Sequence, residues 1–288
     1  PTKKSSPFSL TRLFYIIGGL IATLGIIFFI AQVWNDLGSG GRIIVTLILG
    51  LILAGIGSSF LKTRSKSHLG EVFHGIAGCL IPGGALVTLY EIIGFKFLDS
   101  LWSVTIVFGL IFLFYLLLNL YHRNTVLTFF AVGNGTAFFY LLVESIISGP
   151  FYQHDDIYAY LTMIVGLSYL LLAYASRAGW NRPLVGVLNF LGSLAFFGAA
   201  FSRVIEVQNF WEFFFFILAV GGLYFAVYVV LSRAVLLVST LFLIAHFIYI
   251  TNEYFGDSVS WPILLVILGF IFIGLGYFSL SLNRKYFS

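Results

Sequence analysis

Charged side chains are scarce in this chain. Asp, Glu, Lys and Arg make up 9% of the 288 residues, whereas hydrophobic residues make up 60%. A soluble domain carries about a quarter charged residues, because its surface must be covered with groups that water solvates. The composition therefore excludes a water-soluble globular fold and favours a protein surrounded by lipid.

The absence of several sequence motifs excludes classes of function. With one cysteine, Cys79, the chain has no internal disulfide. The sequence holds no HExxH, no paired CxxC, no GxxxxGK[ST] and no GxGxxG motif. No charged residue lies at the centre of a predicted span, as ion-coupled carriers and voltage sensors usually require. We therefore predict no enzyme activity, no cofactor and no bound metal.

The apolar runs identify the fold class. Each lasts about 20 residues without the alternation of a barrel strand, which is the length that a helix needs to cross a bilayer. The sequence predicts an all-α, polytopic transmembrane helical bundle of about 10 spans. These form a single domain over 13–282, between cytoplasmic segments 1–12 and 283–288. The predicted helices are 13–33, 43–61, 72–93, 101–121, 125–147, 158–176, 184–205, 211–231, 234–254 and 261–282.

The basic residues predict the orientation. With the N-terminal segment inside, 12 of the 15 Lys and Arg residues fall in inner segments and 3 in outer ones. Such an excess in short cytoplasmic loops is the known bias of membrane proteins, and it also explains the net charge of +4 without nucleic acid. We expect a multi-pass protein of the plasma (inner) membrane with both termini cytoplasmic.

A hairpin plan repeats along the chain. Gly50, Gly109, Gly166 and Gly222 each precede a leucine, at spacings of 59, 57 and 56 residues. About 24 residues after each glycine comes a polar residue in the following, outward-going helix. The four polar residues are His74, Asn134, Asn189 and His246. The bundle therefore reads as repeated helical hairpins facing the same way.

These four polar residues and Pro82 are the candidate binding residues. Unpaired polar groups are costly in hydrocarbon, so the four should face the bundle interior. They would line a permeation path or hold a head group, or they would hydrogen-bond between helices. Pro82 removes a helical N–H, so its helix should kink or break. A broken helix would line a cavity, as in transporters, whereas a kink would serve packing alone.

Four further candidates lie at the predicted outer interface: Trp34, Asp36, Glu91 and Glu144. An indole keeps its N–H wet at such an interface. The acids would attract cations to a vestibule. Alternatively, they accumulate outside because cations are scarce there.

Residues Tyr15 to Gly94 resemble a bacterial family of predicted membrane proteins, DUF2157. The resemblance is carried by a Gly-rich first span, the run Gln32-Val33-Trp34-Asn35-Asp36-Leu37, Arg42, and a third span from Leu69-Gly70-Glu71 to Glu91-Ile92. Tyr90-Glu91-Ile92 departs from the family's Gln-Ile-Tyr run. Because that family has no established activity, the resemblance implies an architecture and no mechanism.

Two functions remain open. The first is binding or passage of a small neutral or lipid-like molecule near Pro82 and the four polar residues. The second is a structural or assembly subunit of a larger membrane complex. In that case aromatic faces of the 101–121 and 211–231 helices, including Phe213 to Phe216, would contact other subunits or lipid.

Overall fold

The computed structural model describes residues 10–63, 68–95, 101–147, 155–207 and 210–255, with single positions 266, 269, 270, 273, 274 and 277. These described residues form nine long helices and no strand. The helices are α1 (Leu10–Val33), α2 (Ser39–Thr63), α3 (Leu69–Ile93), α4 (Trp102–His122), α5 (Thr125–Ile147), α6 (Asp155–Ala175), α7 (Val185–Val207), α8 (Phe210–Val229) and α9 (Arg233–Phe255).

The predicted helical bundle is confirmed. The helices α2 to α9 are each long and apolar enough to cross a membrane, with α7 counted from its preceding 3-10 turn, Arg182–Leu184; α1 carries an apolar stretch, Ile17–Val33. The first nine predicted helices match α1 to α9 apart from shifts at their ends. The tenth prediction, 261–282, lies outside the described residues except at six single positions.

Helix contacts divide the chain into two compact units. Unit 1 is Pro1–Ser148 and unit 2 is Gly149–Ser288. In unit 1, α2 packs on α3 and α4 packs on α5, while α1 lies against α3. Its core is built around Ala77, Ile81, Tyr115 and Leu127.

Unit 2 has its own core. The helices α6 and α7 form a closely packed hairpin, and α9 packs against both α7 and α8. Phe197, Ala200, Phe215 and Ala219 are buried at the centre of this packing. Aromatic rings meet there edge to face, as between Phe197 and Phe215 at 6.4 Å between centroids.

The four repeated glycines share one structural role. Each lies where its helix meets the next helix of the same hairpin. A Cβ atom added at the glycine would lie 3.0 Å or less from an atom of that next helix. The four neighbours, in chain order, are Ile81, Phe138, Phe196 and Ser239. The sequence repeat therefore marks points of close approach within the hairpins α2–α3, α4–α5, α6–α7 and α8–α9.

Two helices contain a wider turn. Residues Ile44–Ile48 of α2 and Phe225–Val229 of α8 form π-helical turns. The turn in α2 lies against Gly84 of α3, whose absent side chain leaves room for the backbone of Thr46 and Leu47. Such π turns displace the backbone locally and alter which side chains face a neighbour.

Candidate functional site

A groove of about 390 Å³ opens in unit 1 between α1, α3 and α5. Its walls are mostly apolar and include Leu20, Val72, Ile76 and Phe130. Gly19 allows α1 to approach α3 closely, because a Cβ atom there would lie 3.0 Å from Val72 Cγ1. The helices nevertheless leave a groove that an apolar molecule could enter.

One end of the groove is polar. His68 Nδ1 donates a hydrogen bond to Glu71 Oε2 at 2.9 Å. Asn124 Nδ2 donates to the other carboxylate oxygen, Glu71 Oε1, at 3.3 Å. The Tyr15 ring lies 6.4 Å from the His68 ring, and both residues line the groove. Glu71 also lies in the first turn of α3, where the positive end of the helix dipole favours a carboxylate.

The groove has a defined depth. Along α3 its lining runs from His68 to Cys79. This distance is about 16 Å at the rise of an α-helix. The hydrocarbon core of a bilayer is about 30 Å thick. The groove therefore extends over a length of about half the thickness of that core, with its polar residues at one end.

Gly75 and Cys79 form the open part of the wall. A Cβ atom added at Gly75 would have no atom within 4 Å outside its own helix turn, so this position faces free space. Cys79 is exposed, one helical turn further along α3. Neither residue was among the candidate binding residues predicted from the sequence. The sequence nevertheless contained a pattern that indicates this wall. Polar and small residues recur at 68, 71, 75 and 79, a spacing that places them on one face of a helix.

The predicted residue His74 points away from this wall and is fully buried. Its Nε2 atom lies 3.3 Å from Ser58 Oγ on α2, and a Cβ atom at Gly57 would contact the ring. Its Nδ1 atom has no hydrogen-bond partner among the described residues. His74 therefore holds α2 and α3 together and is not part of the groove lining.

Asn134 is also buried, and its amide forms a hydrogen bond within its own helix. Its Nδ2 atom donates to the Phe130 carbonyl of its own helix at 2.8 Å. Because the acceptor precedes Asn134 by four residues, this hydrogen bond lies within one turn of the same helix. Gly133 and Gly135 flank it, and Gly135 allows close packing against Phe112 of α4.

Asn189 and His246 belong to unit 2, and both are buried. Glu212, at the start of α8, interacts with His246 through its backbone and its charge. Tyr254 donates a hydrogen bond to Glu212 Oε2 at 2.7 Å. Glu212 lies in the first turn of α8, within the helix predicted at 211–231, and it is buried.

Pro82 does not break its helix. The helix α3 runs without interruption from Leu69 to Ile93 with Pro82 inside it. The broken-helix interpretation is therefore wrong. Membrane helices tolerate proline where neighbouring helices hold the backbone, and here the π turn of α2 packs on Gly84 directly after it.

Two of the outer-interface candidates meet through a residue that was not selected. Arg42 forms an ion pair with Glu91, at 2.8 Å from Nη1 to Oε1, and its Nε donates to the Trp34 carbonyl at 3.2 Å. Its guanidinium also lies 4.9 Å from the Trp34 ring centroid. Asp36 is exposed and Glu144 is half-buried. Arg42 thus ties the ends of α1, α2 and α3 together.

The exposed residues of α4 are mainly aliphatic, whereas those of α8 include the aromatic residues Phe210, Phe213, Phe216, Tyr224 and Tyr228. Phe112 of α4 stacks on Phe138 of α5 at 6.4 Å, and the exposed face of α4 is mostly aliphatic. On α8, Phe215 is fully buried while Phe213 is 70% exposed. Exposed apolar residues of this kind suit contact with lipid chains or with another subunit.

The fold defines a polytopic helical membrane protein, and the groove is a mostly apolar cleft on its first unit. Residues 1–128 match the model of a family described as predicted membrane protein, DUF2157. The match confirms the resemblance found in the sequence and extends it beyond Gly94 to the start of α5. It covers the residues of α1 and α3 that line the groove, together with Val126. No curated protein and no solved structure matches the chain.

Proposed function

We propose that the protein binds a lipid-like molecule in the groove of unit 1. The observation that carries the proposal is the combination of apolar walls with a polar end formed by His68 and Glu71. An amphiphile has the same division, because its chain avoids water and its head group needs hydrogen bonds. The groove volume of about 390 Å³ falls within the range of small-molecule sites, about 300–1,000 Å³.

The polar end favours a head group that carries hydrogen-bonding hydroxyl or amine groups. Glu71 offers a carboxylate that remains partly exposed beside its bonds to His68 and Asn124. A carboxylate accepts hydrogen bonds and cannot donate when ionised. A neutral or amine-bearing amphiphile therefore suits the site better than an anionic one.

We propose that the groove binds this molecule and does not carry it across the membrane. The lining of the groove ends near Cys79, about halfway along α3. Beyond that point α3 packs against the π turn of α2 at Gly84. A molecule entering from one leaflet would therefore remain in that leaflet.

Filling the groove at Gly75 is expected to prevent binding. In Gly75→Leu, the new side chain would occupy open space in the groove and leave the packed core untouched. The probe is a long-chain alcohol with a diazirine in its chain, crosslinked to the purified protein and mapped by peptide mass spectrometry. Labelling between Leu69 and Cys79 should fall about tenfold or more, since a loss of only about 1.4 kcal/mol of contact has that effect.

Gly83→Leu is the matched control. Gly83 lies on the same helix, also has no atom within 4 Å of an added Cβ, and is not part of the groove lining. This variant should label like the unmodified protein. Excess unlabelled alcohol should compete in both the control and the unmodified protein. Equal labelling of the Gly75 and Gly83 variants, or labelling confined to other peptides, would rule out the groove as the site.

We further propose that the polar end of the groove lies in the cytoplasmic leaflet of the plasma membrane. The support is the excess of 12 inner over 3 outer basic residues in the orientation predicted from the sequence. A reporter active only in the cytoplasm should work when inserted at 64–67, and a reporter active only outside should work at 148–154. Finding both insertions on the same face of the membrane would refute this orientation.

A further inference from the structure

A second pocket, of about 600 Å³, lies within unit 2. It is formed where α6 and α8 end and where α7 and α9 begin. Three arginines line it, Arg177, Arg182 and Arg233, together with the polar residues Asn189 and Ser232. Its chemistry differs from that of the groove in unit 1, because three cations stand among its apolar side chains.

The arginines give the pocket a fixed positive charge. Arg177 is held in place by a hydrogen bond from its Nη2 to the Val229 carbonyl at 2.7 Å and by the Tyr174 ring at 4.5 Å. Arg182 and Arg233 are exposed at the rim. A guanidinium group is always charged, and its planar fork matches the oxygens of a phosphate.

Two helix N-termini add to this charge. The helix α7 begins at Val185 and α9 begins at Arg233, and the first residues of both line the pocket. The positive end of a helix dipole favours an anion, although here the Val185 N–H already donates to the Arg182 carbonyl and the Val235 N–H to Ser232 Oγ. The carboxylates in the described part of unit 2 lie at the opposite helix ends, at Asp155, Asp156, Glu206, Glu212 and Glu253.

Asn189 supplies an independent sign of a missing ligand. It lines the pocket and is 2% exposed, and its Oδ1 atom has no hydrogen-bond partner among the described residues. Leaving a buried acceptor unpaired is costly. A hydroxyl carried next to a phosphate would donate to this oxygen while the phosphate contacts the arginines.

We propose that this pocket binds a phosphate ester that carries a neighbouring hydroxyl group. Two sources have this chemistry: the head group of an anionic phospholipid and a soluble sugar or glycerol phosphate. The proposal is separate from the lipid groove, since it concerns residues of unit 2 alone.

The test measures the binding of phosphatidylglycerol to the detergent-solubilised full chain by native mass spectrometry. The double variant Arg182→Gln/Arg233→Gln should bind at least about tenfold more weakly, since each basic residue near an anionic lipid contributes about 1 kcal/mol. Lys62→Gln/Arg123→Gln removes the same charge from exposed positions outside the pocket and should bind within about twofold of the unmodified chain. Phosphatidylcholine, which has no net charge, should bind weakly to all of them.

Two glycine-to-leucine substitutions test the location of the binding site without altering charge. Gly186 lines the pocket and Gly221 of α8 does not, and an added Cβ has open space at both. Gly186→Leu should weaken phosphatidylglycerol binding and Gly221→Leu should not. Competition by glycerol 3-phosphate would identify a soluble ligand, and its absence would identify a lipid head group. Equal phosphatidylglycerol binding by the pocket and control variants, or equal binding of both lipids, would overturn the proposal.

Discussion

Gly84→Ala is expected to destabilise unit 1 strongly. A Cβ atom at this position would lie 2.5 Å from the backbone nitrogen of Leu47 and 2.7 Å from its Cα. These atoms belong to the π turn of α2, so no flexible side chain can move aside to make room. Overpacking a tight contact costs about 1–3 kcal/mol, and a contact between two backbones belongs at the upper end of that range.

The neighbouring residue provides the control for this substitution. Gly83→Ala adds the same methyl group one position earlier, where nothing lies within 4 Å. Alanine is the better helix former by about 1 kcal/mol, so Gly83→Ala should be neutral or stabilising. Unfolding of both variants in mixed detergent, followed by circular dichroism, would compare them. If Gly84→Ala proved as stable as Gly83→Ala, the close approach of α2 and α3 at this level would be incorrect.

Gly166→Ala should have a comparable effect on unit 2. The added Cβ atom would lie 2.6 Å from the Phe196 nitrogen and 2.7 Å from the Gly192 carbonyl oxygen. The contact is reciprocal, because a Cβ atom at Gly192 would lie 2.8 Å from the Gly166 carbonyl oxygen. The helices α6 and α7 meet here through their backbones, and a methyl group would force them apart. We expect a loss of about 1–3 kcal/mol.

Gly198→Ala is the comparison within the same unit. Its Cβ atom would meet only Phe242 Cζ at 3.7 Å, an ordinary van der Waals distance. The thermal unfolding of the two variants should therefore differ, with Gly166→Ala melting at the lower temperature. Similar melting temperatures would indicate that α6 and α7 have room to separate at this point.

The positions of the helices could be read from the sequence for a simple physical reason. A backbone in hydrocarbon must satisfy its own hydrogen bonds, so each long uncharged run has to be one helix. The same reasoning located the repeated glycines Gly50, Gly109, Gly166 and Gly222. Small residues at regular intervals in membrane helices usually mark close packing.

The groove could not be predicted in this way. Gly75 and Gly78 lie one helical turn apart on α3, and nothing in the sequence distinguishes their surroundings. In the structure a Cβ atom at Gly78 would overlap the Phe130 ring, whereas one at Gly75 would meet open space. The difference depends on how α1 and α5 are rotated against α3, and periodicity carries no information on that rotation.

Pairs that are distant in the chain were missed for a related reason. Arg42 was sorted as one of three outer cations, yet it pairs with Glu91, 49 residues away. Glu212 and His246 lie on different helices, and their approach depends on how far α8 and α9 are shifted along one another. Charge counting places a residue on a side of the membrane and says nothing about its partner.

The hairpin contacts have a consequence for biosynthesis. Each of the four glycines approaches the helix that follows it directly in the chain, so the two halves of each contact are synthesised in succession. Ribosomes extend a chain by only about 5–20 residues per second, and early segments fold while later ones are still being made. The α2–α3 pair can therefore close inside the bilayer seconds before α6 leaves the ribosome. A protein built in this manner depends little on the late arrival of distant segments.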